Sequence, residues 1–203
     1  MIPNGVTIPL DSGRIDSNVR FRLLYLGRLH PIKGVESLLA ACALLKSSSS
    51  DWVLSIAGSG DPSYLEFLSS KVEEWGLSGN VEFLGEILEE RKGRLLAECD
   101  VVVVPSHVEN FAIVVAESLA HAVPVIASKS TPWEGLETHQ CGLWVENDPV
   151  NLAAAIRTIR TLPLKDMGER GREWMKQCCS WESVSKQMLA VYGESVRTAA
   201  RYV

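Results

Sequence analysis

Val101-Val102-Val103-Val104-Pro105-Ser106-His107-Val108-Glu109-Asn110-Phe111-Ala112-Ile113-Val114-Val115-Ala116-Glu117 reads as one structural unit. The valine run makes a strand buried on both faces, Pro105 stops it, and a polar loop leads into an apolar helical stretch. Asn110 is a favourable N-cap, so the reading starts a helix at Phe111 and sets Glu117 about two turns in. Glu109 then precedes the helix and Glu117 rides on it. At roughly 1.5 Å per residue the two carboxylates stand about 12 Å apart. Carboxyl pairs that act on one glycosidic bond stand roughly 5 to 9.5 Å apart, so this spacing suits two ends of one long polar ligand. Taken alone, two such acids read as solvated surface groups; their neighbours decide otherwise.

The same alternation recurs outward from this unit. Short apolar runs occupy Phe21 to Leu26, Trp52 to Ala57, Val81 to Leu84, Val125 to Ala127 and Leu143 to Val145. Between them lie helical periods: Leu38, Leu39, Cys42 and Leu45; Tyr64, Leu65, Leu68, Val72 and Trp75; Leu95, Leu96 and Cys99. Strand and helix repeated this often predict a doubly wound parallel sheet of about six strands with helices on both faces. The Ser47 to Ser50 tract reads as a polar helix-to-strand turn. Three helices finish the chain, over Pro149 to Thr161, Asp166 to Cys178 and Trp181 to about Ala200. The last carries Val184, Met188, Val191 and Tyr192 at helical spacing and needs something to cover.

Composition narrows the function classes. The chain has 203 residues, 46% apolar and 22% charged, enough for one sizeable core and not the make-up of a disordered chain. With a net charge of −5 and no basic run longer than two residues, a nucleic-acid partner is disfavoured. The five cysteines include no C-x-x-C pair and read as buried free thiols in a reducing compartment, so a cytoplasmic location is expected. No apolar run is long enough to span a membrane, and residues 1–17 do not read as a signal peptide.

In open parallel sheets, ligands bind beyond the carboxyl ends of the strands. Those ends read Gly27-Arg28, Gly58-Ser59-Gly60-Asp61, Gly85-Glu86, Pro105-Ser106 and Ser128-Lys129. In Gly27-Arg28-Leu29-His30-Pro31-Ile32-Lys33-Gly34 two cations sit in one loop just before a helix, and helix amino ends attract anions. A diphosphate is the natural occupant. Gly58-Ser59-Gly60 mimics the start of a dinucleotide fingerprint, but Ser63 stands where a third glycine is needed and Pro62 marks a plain helix start. The four histidines are scattered and no Asp-x-Asp pair exists, so no metal site is expected.

Gly27-Arg28 with Lys33-Gly34, Ile56-Ala57-Gly58-Ser59-Gly60, Phe83-Leu84-Gly85, the Pro105-Ser106 to Glu117 block and Val123-Pro124-Val125-Ile126-Ala127 occur in a familiar order. They resemble the donor-binding half of retaining glycosyltransferases with two Rossmann-like domains, the GT-B fold. The resemblance implies an α/β, Rossmann-like doubly wound sheet with C-terminal helices, one half of a GT-B fold, holding a nucleotide diphosphate sugar. It implies that Arg28 and Lys33 grip the diphosphate, Glu117 accepts from the ribose hydroxyls and Glu109 holds the sugar near its reacting carbon. Ser106 and the backbone of Asn110, Phe111 and Ala112 would face the sugar and phosphate, with Gly27 at the same strand end. Gly85 and Glu86 would lie near the base. No cofactor and no metal are implied, the nucleotide sugar being the donor substrate.

The sequence departs from the family's pattern at Ala112 and Ala122, where glycine is usual, and at Ser118, where alanine is usual. Thr131-Pro132-Trp133-Glu134-Gly135-Leu136 with Cys141-Gly142-Leu143-Trp144 resembles bacterial transferases that build lipopolysaccharide or capsule. Ile2-Pro3-Asn4-Gly5-Val6 looks like the family's interdomain linker, so residues 1–18 read as linker and 19–203 as the donor domain. An acceptor domain would then be the missing partner, the isolated chain would transfer nothing, and the full enzyme would lie in the cytoplasm, peripheral at the inner face of the membrane. A nucleotide-sugar epimerase, a non-catalytic nucleotide-sugar sensor and, on the weak glycine loop, a nicotinamide oxidoreductase remain open as alternatives.

Overall fold

A computed structural model describes residues 2–10, 20–46 and 51–199, with side chains through residue 193. The Ser47 to Ser50 turn, residues 11–19 and Ala200 lie outside the described residues. The strands are β1 (Phe21–Leu26), β2 (Trp52–Ala57), β3 (Val81–Gly85), β4 (Val101–Val104), β5 (Val125–Ser128) and β6 (Gly142–Val145). All pair in parallel, in the order β3-β2-β1-β4-β5-β6. The chain builds outward from β1 on one side, then returns to β1 and builds outward on the other. The reversal between β1 and β4 leaves a crevice beyond their carboxyl ends, where ligands bind in sheets of this kind.

The helices are α1 (Val35–Lys46), α2 (Pro62–Glu74), α3 (Glu89–Glu98), α4 (Ile113–Ala120), α5 (Gly135–Thr138), α6 (Pro149–Ile159), α7 (Leu164–Cys178) and α8 (Trp181–Ala199). Alternate strand residues feed two separate cores, as the two-residue period requires. Leu23, Val101, Val103 and Ile126 pack with Leu38, Leu39, Leu68 and Ile156 of α1, α2 and α6. Leu24, Val102, Val104 and Val125 pack with Leu96, Val115, Leu119 and Met175 of α3, α4 and α7. Burial on both sides is why the valine run has no polar residue.

Near the start of the chain, Val6 donates its backbone N–H to the Cys179 carbonyl at 2.8 Å and bridges Ser180, between α7 and α8. Gly5 lies against the Trp181 indole. Helix α8 contributes Val184 to the domain and leaves Trp181, Met188, Leu189, Val191 and Tyr192 exposed. Among the described residues no helix is long and apolar enough to cross a membrane.

Candidate functional site

Gly27 and Arg28 leave the end of β1, and the Tyr25 hydroxyl donates to the Arg28 carbonyl at 2.9 Å, fixing the backbone there. Burial, with the charges of Tyr64 and Glu109, pushes the Tyr25 phenol well above its usual range, so it stays a protonated donor. The chain then makes a 3-10 turn over Pro31–Lys33, capped by the His30 ring, which accepts from the Ile32 N–H. Gly34 has φ 69°, and a Cβ there would lie 1.8 Å from the Pro105 carbonyl oxygen. That contact demands glycine and draws the β1 loop against the β4 loop. The two loops are tied again by the His107 N–H, which donates to the Ile32 carbonyl at 2.8 Å.

This docking delivers Lys33 to Glu109, Nζ to Oε1 at 2.5 Å, and the Ser106 hydroxyl donates to the same oxygen at 3.0 Å. A second pair forms farther along, where Lys92 of α3 reaches Glu117 of α4 at 2.7 Å and Glu89 at 2.8 Å. Burial works against the charge on Lys92, but the hydrogen bonds it donates to the Glu117 and Glu89 carboxylates outweigh it and raise the ammonium above the usual lysine range. Arg28 makes no side-chain hydrogen bond or ion pair among the described residues and is exposed.

Two cavities lie along this rim. One, of about 360 Å³, is lined by Asn4, Arg28, Lys33, Ser106, Glu109, Phe111 and Ala112 among others. The other, of about 430 Å³, is lined by Arg28, Ser59, Glu86, Ile87, Lys92 and Glu117 among others. Leu26, Gly27, Arg28, Ile113 and Val114 line both. The dividing wall therefore carries the unpaired guanidinium and the amino end of α4, whose first N–H groups have no partner within the helix. Each carboxylate commands its own cavity, with positive charge and free donors between them. The arrangement suits a long ligand that is anionic in the middle and rich in hydroxyls at its two ends.

Nine of the expected residues converge here: Gly27, Arg28, Lys33, Ser106, Glu109, Phe111 and Ala112 at the first cavity, and Glu86 and Glu117 at the second. Asn110 and Gly85 line neither cavity. Asn110 is exposed, and the Gly85 carbonyl accepts from the Gly58 N–H at 2.8 Å. The expected cap at Asn110 is corrected: α4 starts at Ile113, and the cap position belongs to Ala112, with φ 59° and ψ 70° and no side-chain cap bond. A left-handed residue reverses the chain just before the helix, so the start comes two residues late and Glu117 lies little more than one turn in. The free N–H groups facing the wall accordingly come from the start of α4 at Ile113.

The Gly58-Ser59-Gly60 loop has a packing reason for its glycines. A Cβ on Gly58 would lie 1.8 Å from the Gly27 carbonyl oxygen, and one on Gly60 2.1 Å from that of Leu29. The amino end of α2 is already filled by the Asp61 carboxylate, which accepts from the Ser63 N–H at 2.8 Å. Lys92 escaped the sequence reading. The Glu89-x-x-Lys92 spacing shows that these two share a helix face, but nothing in it shows that the face meets α4. Behind the Glu109 loop, the Trp133 indole N–H donates to the Phe111 carbonyl. The Trp133 ring meets Trp174 edge-on at 5.6 Å, and Trp174 stacks on His139 at 4.2 Å.

The fold is a Rossmann-like α/β domain with a ligand cleft beyond its strand ends, and sequence comparison gives its family. The chain belongs to the family described as Glycosyl transferases group 1, whose pattern matches residues 15–174. It is similar to D-inositol 3-phosphate glycosyltransferase of Nocardioides, 32% identical over 189 residues that cover 84% of this chain and 41% of the relative. Sucrose-phosphate synthase from Thermosynechococcus elongatus superposes with a TM-score of 0.85 at 29% identity, over 97% of this chain and 52% of that one. The fold also matches Anabaena Alr3699/HepE, solved in complex with UDP, with a TM-score of 0.83 at 22% identity, over 95% and 57%. The chain spans less than half the length of the curated relatives it matches. The architecture is the Rossmann-like half of a GT-B glycosyltransferase.

Proposed function

We propose that residues 19–203, preceded by a linker over residues 1–18, hold the donor of a retaining glycosyltransferase. The donor is a nucleotide diphosphate sugar, and a hexose passes from it to a saccharide or lipid-linked acceptor. The observation that carries this reading is the shared wall of the two cavities, where unpaired Arg28 and the α4 amino end lie between two Lys–Glu pairs. The diphosphate sits against that wall, the sugar beside Glu109 and Ser106, the ribose beside Glu117 and the base toward Glu86. The UDP held by the HepE structure and the glycosyltransferase name of the Nocardioides relative support the ligand class.

In the proposed step, the bond between the sugar's anomeric carbon and the phosphate oxygen breaks while the acceptor oxygen bonds to the same face of that carbon. The leaving phosphate takes the acceptor's proton. Arg28, Lys33 and the helix end offset the charge that develops on the diphosphate, a preorganised electrostatic role that needs no metal ion. The acceptor is held by a second domain, which the greater length of the relatives supports, so the isolated chain binds donor and transfers nothing. Calorimetric titration of the chain with UDP, GDP, ADP and their sugar conjugates, with and without EDTA, tests the reading. Binding of at least one conjugate, unaffected by EDTA, is expected; no binding of any of them overturns the proposal, and binding only with a divalent ion overturns its metal-free part.

A further inference from the structure

We infer that Lys92 is a positioning residue that fixes the Glu117 carboxylate for a ribose diol and thereby sets a preference for ribonucleoside over 2′-deoxyribonucleoside diphosphates. The inference rests on the donor-nucleotide reading above. Glu117 projects from α4 into the larger cavity, and a glutamate on a helix surface otherwise samples several rotamers. Here Lys92 comes from a different helix and holds Oε1 at 2.7 Å, while Glu89 holds the same ammonium from its own helix at 2.8 Å. The ammonium is therefore anchored on two sides, with only 20% of the Lys92 side chain exposed. With Oε1 engaged, Oε2 is left as the acceptor for ligand. A carboxylate oxygen offers two lone pairs, which match the two O–H donors of a vicinal diol. A 2′-deoxyribose has only one of them. The ammonium also offsets part of the charge of Glu117, which would otherwise repel a diphosphate bound at the neighbouring wall.

Lys92 thus acts through Glu117, and its effect is read on the sugar ring of the nucleotide. The test is calorimetric titration of the chain with UDP, GDP and their 2′-deoxy counterparts, using the unaltered protein, Lys92→Met, Lys92→Arg and Glu117→Gln. The unaltered chain is expected to prefer the ribonucleotide by about tenfold, the difference that one hydrogen bond to a charged group carries. Lys92→Met and Glu117→Gln should each bring that ratio to about twofold or less, mainly by weakening the ribonucleotide, and Lys92→Arg should restore most of it. Thermal unfolding of each variant checks that it is folded, and Lys92→Gln replaces Lys92→Met if the latter is not. An unchanged ratio in Lys92→Met, or an equal loss for both sugars, overturns the inference and leaves the donor reading intact. Failure of the unaltered chain to bind any nucleoside diphosphate overturns both.

Discussion

Lys33 and Glu109 come from loops that follow different strands and meet with Nζ 2.5 Å from Oε1, each largely shielded from solvent. Arg28, just past the end of β1 and in the same loop as Lys33, has no such side-chain partner among the described residues. Two cations in one loop are therefore unequal: Lys33 is engaged by the protein's own carboxylate, and Arg28 is not.

Arg28→Ala should accordingly lower the affinity for a nucleoside diphosphate about tenfold, with little effect on the monophosphate and none on the melting temperature. Lys33→Met should weaken diphosphate binding too, and should also destabilise the fold by about 1–2 kcal/mol because it strands a half-buried carboxylate. Calorimetry alongside thermal unfolding reads both. Equal affinity of the unaltered chain for mono- and diphosphate would remove the phosphate role.

The two glutamates should separate by ligand, since they line different cavities. Glu117→Ala is expected to weaken binding of the free nucleoside diphosphate several-fold, and Glu109→Ala to weaken only the intact nucleotide sugar. Competition titrations with both ligands measure this. The reverse pattern would mean that the donor lies in the opposite direction along the rim.

Ala112 and Ala122 have φ of 59° and 58°, in the left-handed region that disfavours a side chain. That conformation costs a non-glycine residue about 1–2 kcal/mol, partly offset by the roughly 0.4–1 kcal/mol that glycine loses through its unfolded-state freedom. Ala122→Gly should therefore raise stability by about 0.5 kcal/mol in urea unfolding, and Ala112→Gly by a similar amount while opening the backbone beside the first cavity. A loss of stability in both would show that the methyl groups pack well enough to outweigh the backbone strain.

The thiols should differ sharply in reactivity. Hydrogen bonding between Cys178 and Cys179, with Sγ atoms 3.2 Å apart, lowers Cys178 below the usual thiol range and raises Cys179. Burial pushes Cys42 far up and Cys141 to about 12. Near neutral pH more of Cys178 is thiolate, the reactive form. Iodoacetamide followed by peptide mass mapping should find Cys178 modified first, with Cys42 and Cys141 reacting only in denaturant. Early labelling of Cys141 in the native protein would contradict its burial.

How much of this was legible beforehand depended on whether the cause was local. All six strands were readable as short apolar runs, most plainly Val101 to Val104, which is buried on both faces, and Pro62 marked the start of α2. The α4 start was misread because Asn110 has cap chemistry, while the decisive event is the backbone reversal at Ala112, which no side chain announces. The start of α7 at Leu164, earlier than Asp166, has the same character: its cap position is Pro163, with no side-chain cap bond. Arg28, Lys33, Glu109 and Glu117 stood out by position after strands. Lys92 did not, since its role depends on α3 meeting α4 on one face of the sheet.

The column of rings behind the Glu109 loop has an optical consequence. Trp133 is hydrogen-bonded to the very peptide that carries Phe111 into the cavity, and Trp174 sits between Trp133 and the His139 imidazole. Any ligand that shifts the Phe111 carbonyl alters the polarity and hydrogen bonding around an indole. The domain thus contains its own fluorophore wired to the cavity that Phe111 and Glu109 line, and a signal of ligand arrival there is available in the ultraviolet without attaching a dye.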